Sequence, residues 1–247
     1  MNYHGRSGSM SILPHPGGLK GLARKLGNAL LPGSCLLCGA NSRDELLCPE
    51  CNADLPGLPP QLCPLCADQT THGERCGACL KDAPCFDRTI ALFHYDFPLD
   101  RIIHALKYGH QLAVAPWCSR RLGRRIAANE LDLIIPLPLH PQRLIERGFN
   151  QSAEIARTLG NDLNIPVDHT NVLRTRPTAP QADLPHKERK KNVRGAFECR
   201  TDLSGRRLLL IDDVMTTGAT VNECARVLKL HGAASVTVAV IARALRH

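Results

Sequence analysis

Aromatic residues account for only 4% of the 247-residue chain, so a site that worked mainly by ring stacking would have few platforms to use. Long hydrophobic runs are missing too. No apolar stretch approaches the ~20 residues that a membrane-spanning helix requires, and the N-terminus lacks the uninterrupted hydrophobic region of a secretory signal. The compartment expected on these grounds is the cytoplasm. No GxxxxGK is present ahead of a turn, which excludes the nucleoside-triphosphate P-loop, and no GxGxxG follows an early strand, which excludes a dinucleotide fold. The length permits a full core, with one principal domain and a smaller one attached.

Cysteine, by contrast, is abundant. Eight of the 12 cysteines form four C-x2-C pairs, Cys35/Cys38, Cys48/Cys51, Cys63/Cys66 and Cys76/Cys79. Each pair lets two thiolates face one ion, and two pairs complete a tetrahedral site. The simplest partition gives one structural zinc to Cys35, Cys38, Cys48 and Cys51 and another to Cys63, Cys66, Cys76 and Cys79. Interleaved pairing, disulfides and an iron–sulfur cluster are the competing readings. A reducing cytosol disfavours disulfides, whereas spacing alone does not choose the metal. From Gly33 to Pro84 there are too few large apolar residues to fold without a staple, so metal binding would also supply folding energy. Cys85, Cys118, Cys199 and Cys224 lack a partner at this spacing and read as buried or incidental.

The expected organisation is a flexible N-terminal segment with a short helix, 1–32, a zinc-binding module, 33–84, and a principal domain, 85–247. Residues 1–18 are rich in Gly, Ser, His and Pro and read as disordered. The stretch 19–31 has the pattern of a short basic amphipathic helix docked on its own protein, membrane contact being the alternative. Beyond Pro84, strands at 88–95, 131–136, 170–174, 208–211 and 236–242 alternate with helices at 99–106, 113–128, 151–160 and from Val221. That alternation predicts an open, mostly parallel α/β sheet, closed by the last strand. The net charge of +8 is concentrated: between Arg174 and Arg194 a long basic loop carries seven Lys or Arg against two acidic residues.

The chemically specific stretch is LeuLeuLeuIleAspAspValMetThrThrGlyAlaThr, 208–220. An apolar run flanked by charge suits a strand covered on both faces, and Asp212 and Asp213 fall at its carboxyl end. Thr216, Thr217, Gly218, Ala219 and Thr220 then offer hydroxyls and amides in a tight turn before a helix. Carboxylates accept from sugar hydroxyls while turn amides take a phosphate, which points to a phosphorylated sugar. A phosphoacceptor or a plain metal site is the alternative, and the turn directly after the acids argues against both.

IleAspAspValMetThrThrGlyAlaThr resembles the fingerprint of type I phosphoribosyltransferases. The order of further motifs is similar to the ComF/GntX group of amidophosphoribosyltransferase-like competence proteins: CysLeuLeuCysGly at 35–39, LeuLysTyrGly at 106–109, ProLeuProLeuHisProGlnArgLeuIleGluArgGlyPheAsnGln at 136–151 and ArgLysLysAsnValArgGlyAlaPhe at 189–197. The resemblance covers roughly Gly33 to Arg243. It implies a type I phosphoribosyltransferase-like sheet that binds 5-phosphoribosyl 1-diphosphate (PRPP) with magnesium. Asp212 and Asp213 would hold the ribose hydroxyls and stabilise developing oxocarbenium charge, and residues 216–220 would take the 5-phosphate. His140, Arg143 and Arg147 lie where the family places its diphosphate loop, with the two arginines four apart on one helix face. Arg174, Gln181 and Arg194 match a flexible loop that closes over PRPP. Lys107 would contact phosphate or acceptor, or act only as a helix C-terminal charge.

Lys187, Arg189, Lys190 and Lys191 suit a nucleic-acid backbone as well. The implied role is DNA uptake or use of imported DNA, with single-stranded DNA and a helicase or uptake protein as partners. A non-catalytic DNA-binding module or a scaffold is the alternative. No motif for an acceptor base is visible, and the glutamine-hydrolysing domain of amidophosphoribosyltransferases is not expected, since Asn2 follows Met1. Turnover as a phosphoribosyltransferase is therefore an open expectation.

Overall fold

The computed structural model describes residues 33–43, 45–177 and 191–245. The helix expected at 19–31 and the positions Gln181, Lys187, Arg189 and Lys190 lie outside the described residues. Contacts divide the chain into two compact units, Met1–Pro49 and Glu50–His247. This division falls earlier than the expected boundary at Pro84. The reason is apolar: Cys63, Cys66, Ala67 and Cys79 share one core with Leu208, Leu210, Met215, Val221 and Val238, so the second cysteine quartet is built into the sheet domain.

The cysteine segment is an internal repeat. Each cysteine of the first quartet recurs 28 positions later, 35 to 63, 38 to 66, 48 to 76 and 51 to 79. The local structure recurs with it. In each copy the first cysteine of the knuckle accepts at its carbonyl from the residue four later, Gly39 or Ala67, at 2.9 Å, and an antiparallel bridge closes the loop, Ser34 to Asn41 or Leu62 to Gln69. A short helix carries the last cysteine, α1 (Pro49–Ala53) and α2 (Gly77–Lys81). The residue after the second cysteine is left-handed in both copies, with φ 76° at Gly39 and 53° at Ala67.

The main sheet has four strands in the order β1-β6-β5-β2, all parallel: β1 (Arg88–His94), β2 (Leu133–Pro136), β5 (Arg207–Met215) and β6 (Ser235–Arg243). Residues 166–168 lengthen the β2 edge through a parallel bridge, Ile134 to Val167. A separate antiparallel pair joins β3 (Val172–Arg174) to β4 (Phe197–Cys199). The expected parallel α/β sheet is present, with two differences. The last strand closes the sheet not at an edge but centrally, between β1 and β5, and all of it beyond Ser235 is buried, as suits a strand covered on both faces. The strand expected at 170–174 leaves the main sheet and pairs with β4, a segment too short to show a period in sequence.

The longer helices each bury one stripe. In α3 (Leu99–Tyr108) the buried residues are Leu99, Ile102, Ile103 and Leu106, and in α7 (Ala219–Leu230) they include Val221, Cys224, Ala225 and Leu228, both at i, i+3, i+4, i+7 spacing. Leu208 and Leu210 of β5 share a core with α7. By strand alternation Leu209 and Ile211 face the opposite side, where α6 (Gln151–Leu163) packs on β2 and β5 and α4 (Val114–Gly123) packs on α6. The helices following β2 and β5 thus lie on opposite faces, which opens a crevice beyond the carboxyl ends of these two neighbouring strands. Among the described residues no helix is long and apolar enough to cross a membrane.

Candidate functional site

That crevice is a cleft of about 260 Å³, continuous through Lys107, Tyr108, Arg143 and Arg147 with an outer lobe of about 470 Å³ that also reaches His140. Its floor is the end of β5, one wall is the turn before α7, and the other is α5 (Pro141–Arg147). The β2 to α6 connection is held rigidly. Gly148 ends α5 in a left-handed conformation, φ 80°, and Asn150 caps α6 by accepting from the amides of Ser152 and Ala153. The Asn150 side-chain amide donates back to the Leu137 carbonyl at 3.0 Å, so the cationic wall is clamped to the strand it follows.

Asp212 and Asp213 both line the cleft, with exposures of 9% and 3%. They are largely buried yet surrounded by polar groups. Asp213 Oδ2 lies 2.7 Å from Lys107 Nζ, and its Oδ1 accepts from the Val214 amide at 2.9 Å. Burial works against ionisation of Asp213, but the Lys107 ammonium outweighs it and holds the carboxyl below its usual range. Lys107 answers in kind: burial pulls it down, and the Asp213 carboxylate holds it above its ordinary value. Asp212 accepts from Ser152 Oγ at 3.2 Å and from the Asp213 amide at 2.9 Å. Burial, reinforced by the negative charge of Asp213, pushes Asp212 up to about 8. Two adjacent carboxyls with opposite shifts amount to one shared negative charge, as expected when like charges meet in a dry site.

The cations converge on the same space. Arg143 and Arg147 project from one face of α5 into both lobes. Arg147 donates to Gln151 Oε1 at 2.7 Å and sits 5.2 Å from the Tyr108 ring centre. Arg174, at the end of β3, is 7% exposed, and burial together with the positive charge of Arg143 pulls its pKa down. Arginines that repel one another across a cleft are relieved when an anion enters it. His140 reaches the outer lobe, but its Nδ1 is the N-cap of α5, accepting from the Gln142 amide at 3.3 Å.

The turn from Thr216 to Thr220 lines the cleft opposite α5. Gly218 suits the turn because its φ of 78° is left-handed, a conformation that strains residues with a Cβ. The Thr217 hydroxyl accepts from the Ala219 amide at 3.3 Å, pinning the first turn of α7.

The cysteines meet in two quartets, Cys35, Cys38, Cys48, Cys51 and Cys63, Cys66, Cys76, Cys79, with all sulfurs of each within 4.8 Å of one another. The pairing is sequential, not interleaved. Cys38 to Cys48 is 3.7 Å and Cys66 to Cys76 is 3.6 Å, close to the edge of about 3.8 Å of a tetrahedron of sulfurs 2.3 Å from a metal. Burial opposes the thiolate of Cys35, but amides of Cys38, Cys48 and Leu37 overcome it and hold the thiol at about 6. In the second quartet Cys63 is likewise held down, at about 7, whereas burial raises Cys66 and Cys79; the donor set and geometry fit a metal ion in each quartet.

Of the residues singled out in sequence, Lys107, His140, Arg143, Arg147, Arg174, Asp212, Asp213 and 216–220 are brought together. Arg194 is not among them: it is exposed, with its carbonyl accepting from Arg176 at 2.6 Å and its charge acting on Glu223. Lys191 is exposed. Sequence reasoning missed Ser152, Gln151, Tyr95 and Tyr108. Ser152 follows the matched GlyPheAsnGln stretch and Tyr108 lies within LeuLysTyrGly, so motif position was a usable signal for both.

Comparisons with known proteins agree with this layout. Residues 26–80 match the double zinc ribbon domain and 147–246 the phosphoribosyl transferase domain. The chain is 36% identical to the DNA utilization protein YhgH of Escherichia coli K12, with 86% of this chain and 91% of that protein covered. It is 31% identical to competence protein F of Haemophilus influenzae, covering 85% and 96%, and 25% identical to competence protein ComFC of Bacillus subtilis, covering 78% and 82%.

Proposed function

Because the chain belongs to the ComF/YhgH/ComFC family of competence proteins with a phosphoribosyltransferase-like domain, we propose that it binds PRPP in the β2/β5 cleft and serves, in the cytoplasm, the uptake or use of imported DNA. The observation that carries this reading is the convergence on one crevice of an acidic pair, a glycine-pinned turn and four cations, Lys107, Arg143, Arg147 and Arg174. In it, the turn holds the 5-phosphate, Asp212 and Asp213 take the ribose hydroxyls, and Arg143 and Arg147 neutralise the diphosphate. Magnesium bound with PRPP supplies further charge neutralisation at the diphosphate, and the acidic pair is the part of the cleft chemically suited to stand beside it. Transfer to an acceptor would use the same groups, with the positive wall stabilising the leaving diphosphate.

The state of Asp212 gives a test. With its pKa near 8, the empty site holds a proton at neutral pH, whereas sugar hydroxyls need the ionised carboxylate as acceptor. Binding of PRPP with magnesium should release close to one proton at about pH 7, and affinity should climb with pH to about 8 and then level. Calorimetry in two buffers of different ionisation enthalpy measures this, with Asp212→Asn as a pH-insensitive control. A wild-type affinity as flat as that of the control would contradict the assigned role of Asp212.

The two quartets are assigned to zinc, which takes four thiolates tetrahedrally and needs no open position in a structural site. The expected content of purified protein is about two zinc ions per chain. Elemental analysis giving about one would leave a quartet without metal.

A further inference from the structure

Arg243, the last residue of β6, has 0% of its surface exposed. A guanidinium is costly to bury unless its N–H groups find acceptors, so its partners indicate its use. Nε donates to the Cys66 carbonyl at 2.8 Å, and Nη1 donates to the carbonyls of Met215 at 3.2 Å, Thr216 and Ala244. Nη2 lies 3.6 Å from Asp68 Oδ2. One side of the guanidinium is thus the second cysteine knuckle. The other is the turn that follows the acidic pair.

The peptide unit is planar and trans, so a carbonyl and the next amide point in opposite directions. The Met215 carbonyl also accepts from the Ala244 amide at 3.0 Å, whereas the Thr216 carbonyl is held by Arg243; fixing both aims the amides of Thr216 and Thr217 away from Arg243. Packing on this side of the turn is incomplete. Between Met215, Gly218 and Ala219 and the ribbon residues Cys66, Ala78 and Cys79 lies a cavity of about 330 Å³. Polar ties span the gap: Arg243, and the Asn222 Oδ1 that accepts from the Cys85 amide at 2.7 Å.

We propose that Arg243 is a positioning residue that makes the geometry of the 215–220 turn depend on metal in the second cysteine quartet. A closed quartet fixes the Cys66 carbonyl, Arg243 is held between it and the turn, and the turn amides are set. Loss of metal frees the 63–67 knuckle, removes one anchor of Arg243 and loosens the turn. The inference rests on the proposed function only for what the turn holds, not for the coupling itself.

Amide hydrogen exchange on the full chain without ligand tests it, comparing wild type, Arg243→Lys and Cys76→Ser. Lysine keeps the charge but cannot span knuckle and turn together. In both variants exchange at 216–220 should rise by about ten-fold or more, while the interiors of β5 and β6 stay protected. Turn exchange within about two-fold of wild type in Arg243→Lys, or in a folded Cys76→Ser that has lost metal, overturns the coupling. If Cys76→Ser loses protection throughout, an unchanged turn in Arg243→Lys, which retains all eight cysteines, still overturns the coupling, and graded removal of metal from wild type by a chelator takes the place of Cys76→Ser, with the same two-fold limit. PRPP titration of the same proteins keeps the two proposals apart: no binding to wild type, with turn exchange still altered in the variants, counts against the PRPP reading and for the coupling.

Discussion

Replacing Asp212 and Asp213 together by asparagine should abolish the thermal protection that PRPP with magnesium gives the wild-type protein, and of the two single variants Asp213→Asn should destabilise the protein whereas Asp212→Asn should not. Asp213→Asn leaves Lys107 without the carboxylate 2.7 Å away in a site where the lysine side chain is 22% exposed. Removing one partner of a largely buried pair costs about 3 kcal/mol or more. Asp212→Asn, by contrast, removes a carboxyl that burial and Asp213 already disfavour ionising, so it should be neutral to stabilising. The sign with pH follows. The folded-state pKa of about 8 lies above the unfolded value of about 3.9, so the native state binds the extra proton between these limits. Wild-type stability carried by Asp212 is therefore present at low pH and lost as pH rises through 8. The advantage of Asp212→Asn over wild type should grow across that window, by at most about 1.4 kcal/mol per pH unit. Thermal unfolding from pH 5 to about 9 measures both effects. Equal destabilisation by the two substitutions would show that the shared-charge description is wrong.

The second large effect is expected at the cationic wall. Changing Arg143 and Arg147 together to alanine should weaken PRPP binding by about 10²- to 10⁴-fold, because each arginine gives the diphosphate charge-assisted hydrogen bonds worth about 1.5–3 kcal/mol. Ribose 5-phosphate has no diphosphate and should lose much less. Folding should be little affected, since α5 exposes Leu144 and Ile145 at 43% and 83% and buries none of its residues. A uniform loss for both ligands would mean that the arginines act on the 5-phosphate or on the fold, not on the diphosphate.

The parts of this site that could be read in the sequence are those whose chemistry is local. Leu208 to Thr220 spells a buried strand, an acidic pair and a glycine-bearing turn within one stretch, so their placement follows from strand and helix periods alone. The four-residue spacing of Arg143 and Arg147 was enough to put them on one face of α5. The parts that were not legible depend on which strands become neighbours. Lys107 at the end of α3 reads equally well as a helix charge, and only the tertiary fold, which brings its ammonium 2.7 Å from Asp213 Oδ2, makes it that residue's counter-ion. The central position of β6 was hidden because an apolar run marks two-sided burial without naming its neighbours. Arg243 gave the least warning. A single cation at the end of such a run reads as the point where the chain regains solvent, yet it is fully buried because the second ribbon, separated from it by 177 positions in the Arg243 to Cys66 hydrogen bond, supplies its acceptors.

Calorimetric titration of the wild-type protein with PRPP and magnesium, repeated in the presence of ribose 5-phosphate and of diphosphate, tests the central claim most directly. The expected result is saturable binding at one site per chain, weakened by each fragment in competition, because each occupies one end of the same cleft. Absence of binding, or binding that neither fragment displaces, would contradict the assignment of the β2/β5 crevice to a phosphorylated, diphosphate-bearing sugar.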